Sequence, residues 1–253
     1  MSPRNSHNQH EEVSTGRRPL HVVACAHGTD NPAGRGLVNG LREDLAAALA
    51  TDGIHAEVHE AYVDVQEPRL EAVLAALPSG EEAIVAPLLL SVGFHTSVDI
   101  ADAVATRALT RTAAPLGPDP RMAEVLAQRL AEAGHRPGDA VVLAAAGTRI
   151  EAGQQQAARM AGHLADFLGQ PVGVAYCSAA TPSVPDAVAA ARAAGAERVG
   201  IASFLLAPGF FHDRLAEAGA DYVSTALLPG VTIAKCVAGR LAEALSAGPA
   251  DTE

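Results

Sequence analysis

Tryptophan is missing from the chain, and only three Tyr and five Phe occur in 253 residues. A stacking platform for bases or sugars is therefore not expected. Lysine is nearly missing too: Lys235 stands alone among eighteen basic residues. Those eighteen face 29 acidic residues, a net charge of −11. Nucleic-acid affinity comes from Lys and Arg neutralising phosphates, so this balance argues against such a partner. Cysteine is limited to Cys25, Cys177 and Cys236, with no C-x-x-C. That suits a reducing cytoplasm and offers no zinc-finger or iron–sulfur framework. No apolar run reaches the roughly 18 residues of a membrane span. Met1 to Arg18 carry no apolar signal-peptide core, so a cytoplasmic chain is expected. G-x-G-x-x-G, the P-loop and G-x-S-x-G are all missing, which leaves a nucleotide site or a serine nucleophile elbow without support.

What is present is a globular balance, 49% hydrophobic and 19% charged, with ten histidines. Short apolar runs alternate with Ala-rich helical stretches. Strands are expected at 20–26, 55–63, 83–90 and 110–114, and helices at 36–50, 68–77, 97–108 and 121–133. Pro68 is read as a first-turn proline. The pattern then restarts, with strands at 140–146, 172–177, 198–206 and 222–227. Helices follow at 151–168, 182–194, 212–218 and 233–245. Such alternation predicts α/β architecture with mainly parallel sheets covered by helices.

The halves also match in order. Ala26-His27-Gly28-Thr29 faces Ala146-Gly147-Thr148, Ala61-Tyr62 faces Ala175-Tyr176, and Pro68 faces Pro182. Leu89 to Phe94 faces Leu205 to Phe210, and the RLAEA of residues 129–133 recurs at 240–244. An internal duplication is therefore expected, giving two similar four-stranded domains. The expected division is a disordered tail at 1–19, an N-terminal domain carrying the active site at 20–136, a repeat domain at 137–246, and a tail at 247–253. His7 and His10 fall in the first tail. His21, His55, His135 and His163 have no evident role.

Open parallel sheets bind ligands beyond the carboxyl ends of their strands. His27 follows the first strand there, Glu60 lies late in the second, and His95 follows the third. Two imidazoles and a carboxylate can hold a divalent first-row metal, and imidazoles also accept protons near neutral pH. Taken singly, each residue has a plainer reading as a hydrogen-bonded strand-end or solvated side chain. Alternation puts His55, Glu57 and His59 on the face opposite Glu60, and His59 is a rival third ligand. The Gly28–Gly36 loop offers backbone N–H groups for a ligand carboxylate at a helix N-terminus.

These residues resemble the sirohydrochlorin chelatases, the class II tetrapyrrole chelatases of siroheme and cobalamin synthesis. The likeness rests on Ala26-His27-Gly28-Thr29, on Glu60, on the run Pro87 to Ile100 containing His95 and Asp99, and on Leu116 to Pro120. It covers about Leu20 to Leu245 and implies the long form, two fused α/β domains facing across a cleft. It implies His27 and His95 as catalytic residues, and His27, Glu60 and His95 as metal ligands. Gly28, Thr29, Arg35, Gly93, Phe94, Thr96 and Phe210 are the expected substrate contacts. The implied reaction inserts Fe²⁺, slightly favoured, or Co²⁺ into sirohydrochlorin without ATP or an organic cofactor. A monomer is expected, with a dimer as the alternative. A non-catalytic metal or tetrapyrrole carrier is the rival function.

The second half departs from the pattern. Ala146 replaces His27, and His212 falls one residue late against His95. A wall or lid role is expected there, with Phe210 and Phe211 facing a macrocycle or packing in the core. Arg35, Arg42, Arg69, Arg107, Arg111 and Arg149 are local cations that could offset Asp30 beside an acidic substrate, although solvated helix surface is the favoured reading for most of them.

Overall fold

A computed structural model describes residues 18–247. His7, His10 and most of both expected tails lie outside them. The first half runs β1 (Leu20–Ala26), α1 (Pro32–Thr51), β2 (Ala56–Tyr62), α2 (Leu70–Ala76) and β3 (Ala83–Pro87). A π-helical turn at His95–Asp99 leads into α3 (Ile100–Ala105), β4 (Thr110–Thr112) and α4 (Arg121–Glu132). The second half runs β5 (Ala140–Ala145), α5 (Glu151–Leu168), β6 (Val172–Tyr176), α6 (Val184–Ala193) and β7 (Val199–Phe204). It closes with α7 (Phe210–Leu215), β8 (Tyr222–Val223) and α8 (Val231–Ser246). The sheets have strand orders β2-β1-β3-β4 and β6-β5-β7-β8, and every pairing is parallel. The expected duplicated α/β architecture is what forms.

β1 reads as an almost unbroken apolar run because helices cover both its faces. Val22, Ala24 and Ala26 point into one core, while Val23 and Cys25 join a second core with Leu70, Leu74 and Ile100. The first of these cores is common to both halves, holding Leu41, Leu45 and Leu49 of α1 beside Ile233, Val237 and Leu241 of α8. Its composition follows from an exchange of helices. α4, from the first half, packs on α5 and β7; α8, from the second, packs on α1 and β3. The turn at 134–138 separates the repeats in sequence, but the helix before it covers the sheet after it. Half-buried arginines tie the exchanged helices down. Arg240 of α8 donates to the Leu116 and Pro118 carbonyls, and Arg111 donates to Ala244.

Several boundaries move from their expected places. α1 begins at Pro32 rather than 36, because the Asn31 side chain accepts from Gly34 N–H and Pro32 suits the first turn. Pro68 and Pro182 are not first-turn residues. Each follows a cis peptide bond, and its carbonyl accepts from the N–H of Tyr62 or Tyr176, which folds the turn back onto the strand. The third helix of the first half starts two residues early, as the π turn carrying His95.

The halves touch through backbone at two matching points. A Cβ added to Gly34 of α1 would run into the Pro208 carbonyl, and one added to Gly153 of α5 would run into the Val92 carbonyl. Gly162, also in α5, has open space around its Cβ position. Gly162→Ala is therefore expected to stabilise the protein by about 0.5–1 kcal/mol. Gly153→Ala is expected to destabilise it by about 1–3 kcal/mol through overpacking against the Val92 backbone. Thermal or denaturant unfolding of the two variants checks the contrast, and equal shifts would contradict this account of the contact between the halves.

Candidate active site

The carboxyl ends of β1, β3, β5 and β7 open into one cleft of about 850 Å³. That volume is in the range of ligand cavities, roughly 300–1,000 Å³. Leu88, Leu90 and Val92 from the first half and Phe204, Leu206, Pro208, Phe210 and Phe211 from the second make its walls largely apolar. His27 and His95 both line it, with ring centroids 4.6 Å apart and planes at 88°. His27 leaves the end of β1. Its Nδ1 lies 3.2 Å from the Gly28 carbonyl, so Nδ1–H donates and Nε2 keeps a free lone pair. Gly28 has φ +98°, and an added Cβ would meet the Asp64 carbonyl, so only glycine fits this bend. His95 is held from the other side. Its Nδ1 is 2.6 Å from Asp99, four residues on along the π turn, which directs its Nε2 lone pair away from that carboxylate.

Glu60 is not brought to this pair. It pairs in register with Ala24, three residues before His27, so it stops about 10 Å short of the sheet edge at roughly 3.3 Å per residue. Its carboxylate instead accepts the Tyr62 hydroxyl, and Arg42 lies 3.6 Å away. Burial, then the bond to Glu60, push the Tyr62 phenol above its ordinary pKa, which keeps it a donor. The sequence predicts a strand over 55–63 with Glu60 late in it, and β2 ends at Tyr62 much as expected. What that reading misses is the register with β1, which sets Glu60 against Ala24. The carboxylate that emerges beyond the edge is Asp64. Its N–H donates to the His27 carbonyl at 3.0 Å. The Val65 N–H first, then the Arg69 bond and the charges of His27 and Arg69, hold the Asp64 carboxyl below its usual value. Counting from the end of the strand rather than from its middle finds this residue. Val65 beside it sits at φ +62°, a left-handed conformation rare for a β-branched residue. His59, the rival ligand, lies on the outer face near His21 and Glu57, away from the cleft.

Of the expected substrate contacts, Gly28, Thr29, Gly93 and Phe210 line the cleft, whereas Arg35 and Phe94 do not. Phe94 is 61% exposed and stacks edge-on against His95, and Arg35 pairs with Asp30 while donating to the Thr29 carbonyl. Thr96 lies in the π turn directly after His95. The arginines expected to meet an acidic ligand are mostly committed elsewhere. Arg42 binds the Ala24 and Ala61 carbonyls, Arg69 the Val63 carbonyl and Asp64, and Arg107 the Pro78 and Glu81 carbonyls. Arg111 holds Ala244 and Glu82. Four of the expected backbone N–H donors of the glycine loop are also spent: Thr29 N–H donates to Gln66, Asn31 to Thr29, and Gly34 and Arg35 to Asn31.

The second half supplies the opposite wall without counterparts of His27, Asp64 and His95. Gly93 lies 3.7 Å by its Cβ position from Thr148 Oγ1, and Gly209 lies 3.2 Å from Thr29 Oγ1, so the two loops are structural counterparts. Counting from them, Phe211 occupies the place of His95. Ala146 occupies that of His27, as expected, and Ser178 that of Asp64. His212 lines the cleft, and its Nε2 is 3.2 Å from the Ser224 carbonyl.

Two facing parallel sheets over one cleft, with a histidine pair on a single wall, make up the class II chelatase fold. Residues 21–133 and 140–236 each match the model of the CbiX family, one match per half, and the chain belongs to that family. Solved structures agree on the fold. SirB from Bacillus subtilis with Fe³⁺ superposes with a TM-score of 0.77 at 17% identity, covering 93% of this chain and 100% of that one. The sirohydrochlorin chelatase SirB from Bacillus subtilis subspecies spizizenii in complex with cobalt gives 0.72 at 14%, covering 92% and 98%. CbiX, described as the terminal enzyme for siroheme biosynthesis in denitrifying bacteria, gives 0.60 at 21%, covering 91% and 99%. No curated protein matches by sequence.

The placement of Glu60 has a direct consequence. Glu60→Gln is expected to cost about 1 kcal/mol of stability through the Tyr62 and Arg42 contacts. Isothermal titration should show Co²⁺ binding in the cleft unchanged. Loss of cleft binding in this variant would return Glu60 to the ligand set.

Proposed function

We propose that this chain is a sirohydrochlorin chelatase that inserts Fe²⁺ or Co²⁺ into the macrocycle within the cleft. The observation that carries the reading is the edge-to-face pair of His27 and His95, with both Nε2 lone pairs free, at an apolar cavity large enough for a flat ligand. Membership of the CbiX family supports it. So do two structural relatives, one solved with Fe³⁺ and one in complex with cobalt.

The chemistry asks for two things. The entering ion must be held by few donors so that it can be passed on, and two pyrrole N–H protons must leave. An imidazole lone pair serves either purpose. His27 and His95 hold the ion, and Asp64 supplies the nearby negative charge. The macrocycle lies between Leu88–Gly93 and Phe204–Phe211, with its nitrogens toward the histidines. The four nitrogens then replace the protein's donors on the metal, and the protons pass through the imidazoles to solvent. In this reading the reaction uses neither ATP nor an organic cofactor, and its metal is a substrate. Gly28, Thr29, Gly93 and Phe210 contact the macrocycle, and Arg35, Phe94 and Thr96 lie next to those contacts. Asp99 is a positioning residue acting through His95. The chain works as a monomer in the cytoplasm, with one cleft per molecule.

Purified protein mixed with sirohydrochlorin and Fe²⁺ or Co²⁺ without oxygen is expected to accelerate the visible absorbance change of insertion. His27→Ala and His95→Ala are each expected to lower kcat by about 10²–10⁴-fold, the usual scale for losing a proton-transfer group. Asp99→Asn is expected to lower it by about 10–100-fold, as for other groups that orient a ligating histidine. Circular dichroism should be unchanged in all three. Tight macrocycle binding with insertion no faster than in buffer would favour the carrier reading instead.

A further inference from the structure

A second set of metal-ligand side chains lies on the outer face of the first sheet, at the end of β1 remote from the cleft. His21 is the second residue of β1 and sits directly opposite Glu57 on β2. His59 is two residues further along β2 and therefore shares that face. His21 is 3% exposed. Its Nδ1 is 3.0 Å from His59 Nε2 and 3.7 Å from a Glu57 oxygen. Ligand atoms of the three residues all lie within 4.8 Å of one another. Donors about 2.0–2.2 Å from a tetrahedral ion are themselves about 3.3 Å apart, so small rotations suffice to enclose one.

The other side of the His21 ring decides what its Nδ1 can do. Nε2 is 2.8 Å from Glu81 Oε2, a carboxylate that Arg18 also contacts. A carboxylate only accepts, so neutral His21 carries its proton on Nε2 and presents a lone pair at Nδ1. A carboxylate behind a histidine in this way is the usual outer support of a metal ligand. In the metal-free protein, His59 Nε2–H fills the lone pair. A cavity of about 400 Å³ opens beside the group, floored by Val73, Ala76 and Leu77, with room for water as a fourth ligand.

We propose that His21, Glu57 and His59 bind one divalent first-row transition-metal ion at a site separate from the cleft. Two imidazoles and one carboxylate favour Co²⁺, Fe²⁺, Ni²⁺ or Zn²⁺ over Mg²⁺ or Ca²⁺. The ion cross-links β1 to the edge strand β2 and stabilises the folded state that displays the ligands. None of this depends on the chelatase reading, since the cleft histidines take no part.

The test uses the full chain carrying His27→Ala and His95→Ala, titrated with Co²⁺ and followed by metal analysis and visible absorption. One Co²⁺ per chain, with a rise in Tm and no displacement by excess Mg²⁺, is expected. Adding His59→Gln or, separately, Glu57→Gln should weaken binding at least 10-fold, and Glu81→Gln should weaken it about 10–100-fold. Circular dichroism confirms that each variant is folded, and Glu57, on the exposed side of an edge strand, provides a substitution that spares the core. No bound Co²⁺ in the cleft double variant, or binding indifferent to both His59→Gln and Glu57→Gln, would overturn the proposal.

Discussion

The inner faces of the two sheets are buried in a single core, and each half provides the helix that closes the other's sheet. This mutual dependence holds everything else in place. α4 cannot find its apolar partner within the first half, nor α8 within the second. Burying roughly 25 cal/mol per Å² of apolar surface is the main drive for folding, and here much of that surface is shared between the repeats. The loops that line the cleft gain their positions from the same arrangement. The loop at Val92–Gly93 rests against Gly153 and Thr148, and the loop at Pro208–Gly209 rests against Gly34 and Thr29. Width and wall composition of the cleft are thus set by glycine backbone contacts and threonine side chains rather than by a flexible linker.

On this duplicated frame the halves have divided the chemistry. Ala146, Ser178 and Phe211 stand where the first half has His27, Asp64 and His95. Each exchange removes a donor, and the last adds an aromatic surface. A single metal ion entering one face of a flat macrocycle needs donors on one side and an apolar surface on the other. The asymmetry fits that requirement. The turn that carries Asp64 is repeated around Ser178, with Val65 and Ala179 both at positive φ. The two halves therefore share the backbone of this turn but not its carboxylate.

The broad architecture was legible in the sequence because fully buried parallel strands leave long apolar runs between amphipathic helices. The duplicated order and the two cleft histidines followed from the same punctuation. Four things were not legible. The exchange of α4 and α8 leaves no local mark, since an apolar helix face fits either sheet. Glu60 was read as the third ligand because alternation shows which face a side chain takes, not how it registers against the neighbouring strand that carries His27. Glu60 is on the inner face but three residues short of His27. Arg42, Arg69, Arg107 and Arg111, read mostly as solvated helix surface, are hydrogen-bonded to carbonyls, a use of charge that composition does not reveal. His21 was given no role, although cross-strand register puts it against Glu57 and close to His59.

The account of the cleft comes down to where a metal ion sits before the macrocycle takes it. Anomalous diffraction from crystals loaded with Co²⁺ reads that position directly. The predicted result is a cobalt ion in the cleft about 2.0–2.2 Å from an imidazole nitrogen of both His27 and His95, on the side opposite Phe211. A cleft that holds no cobalt, or holds it out of reach of both rings, would contradict the account.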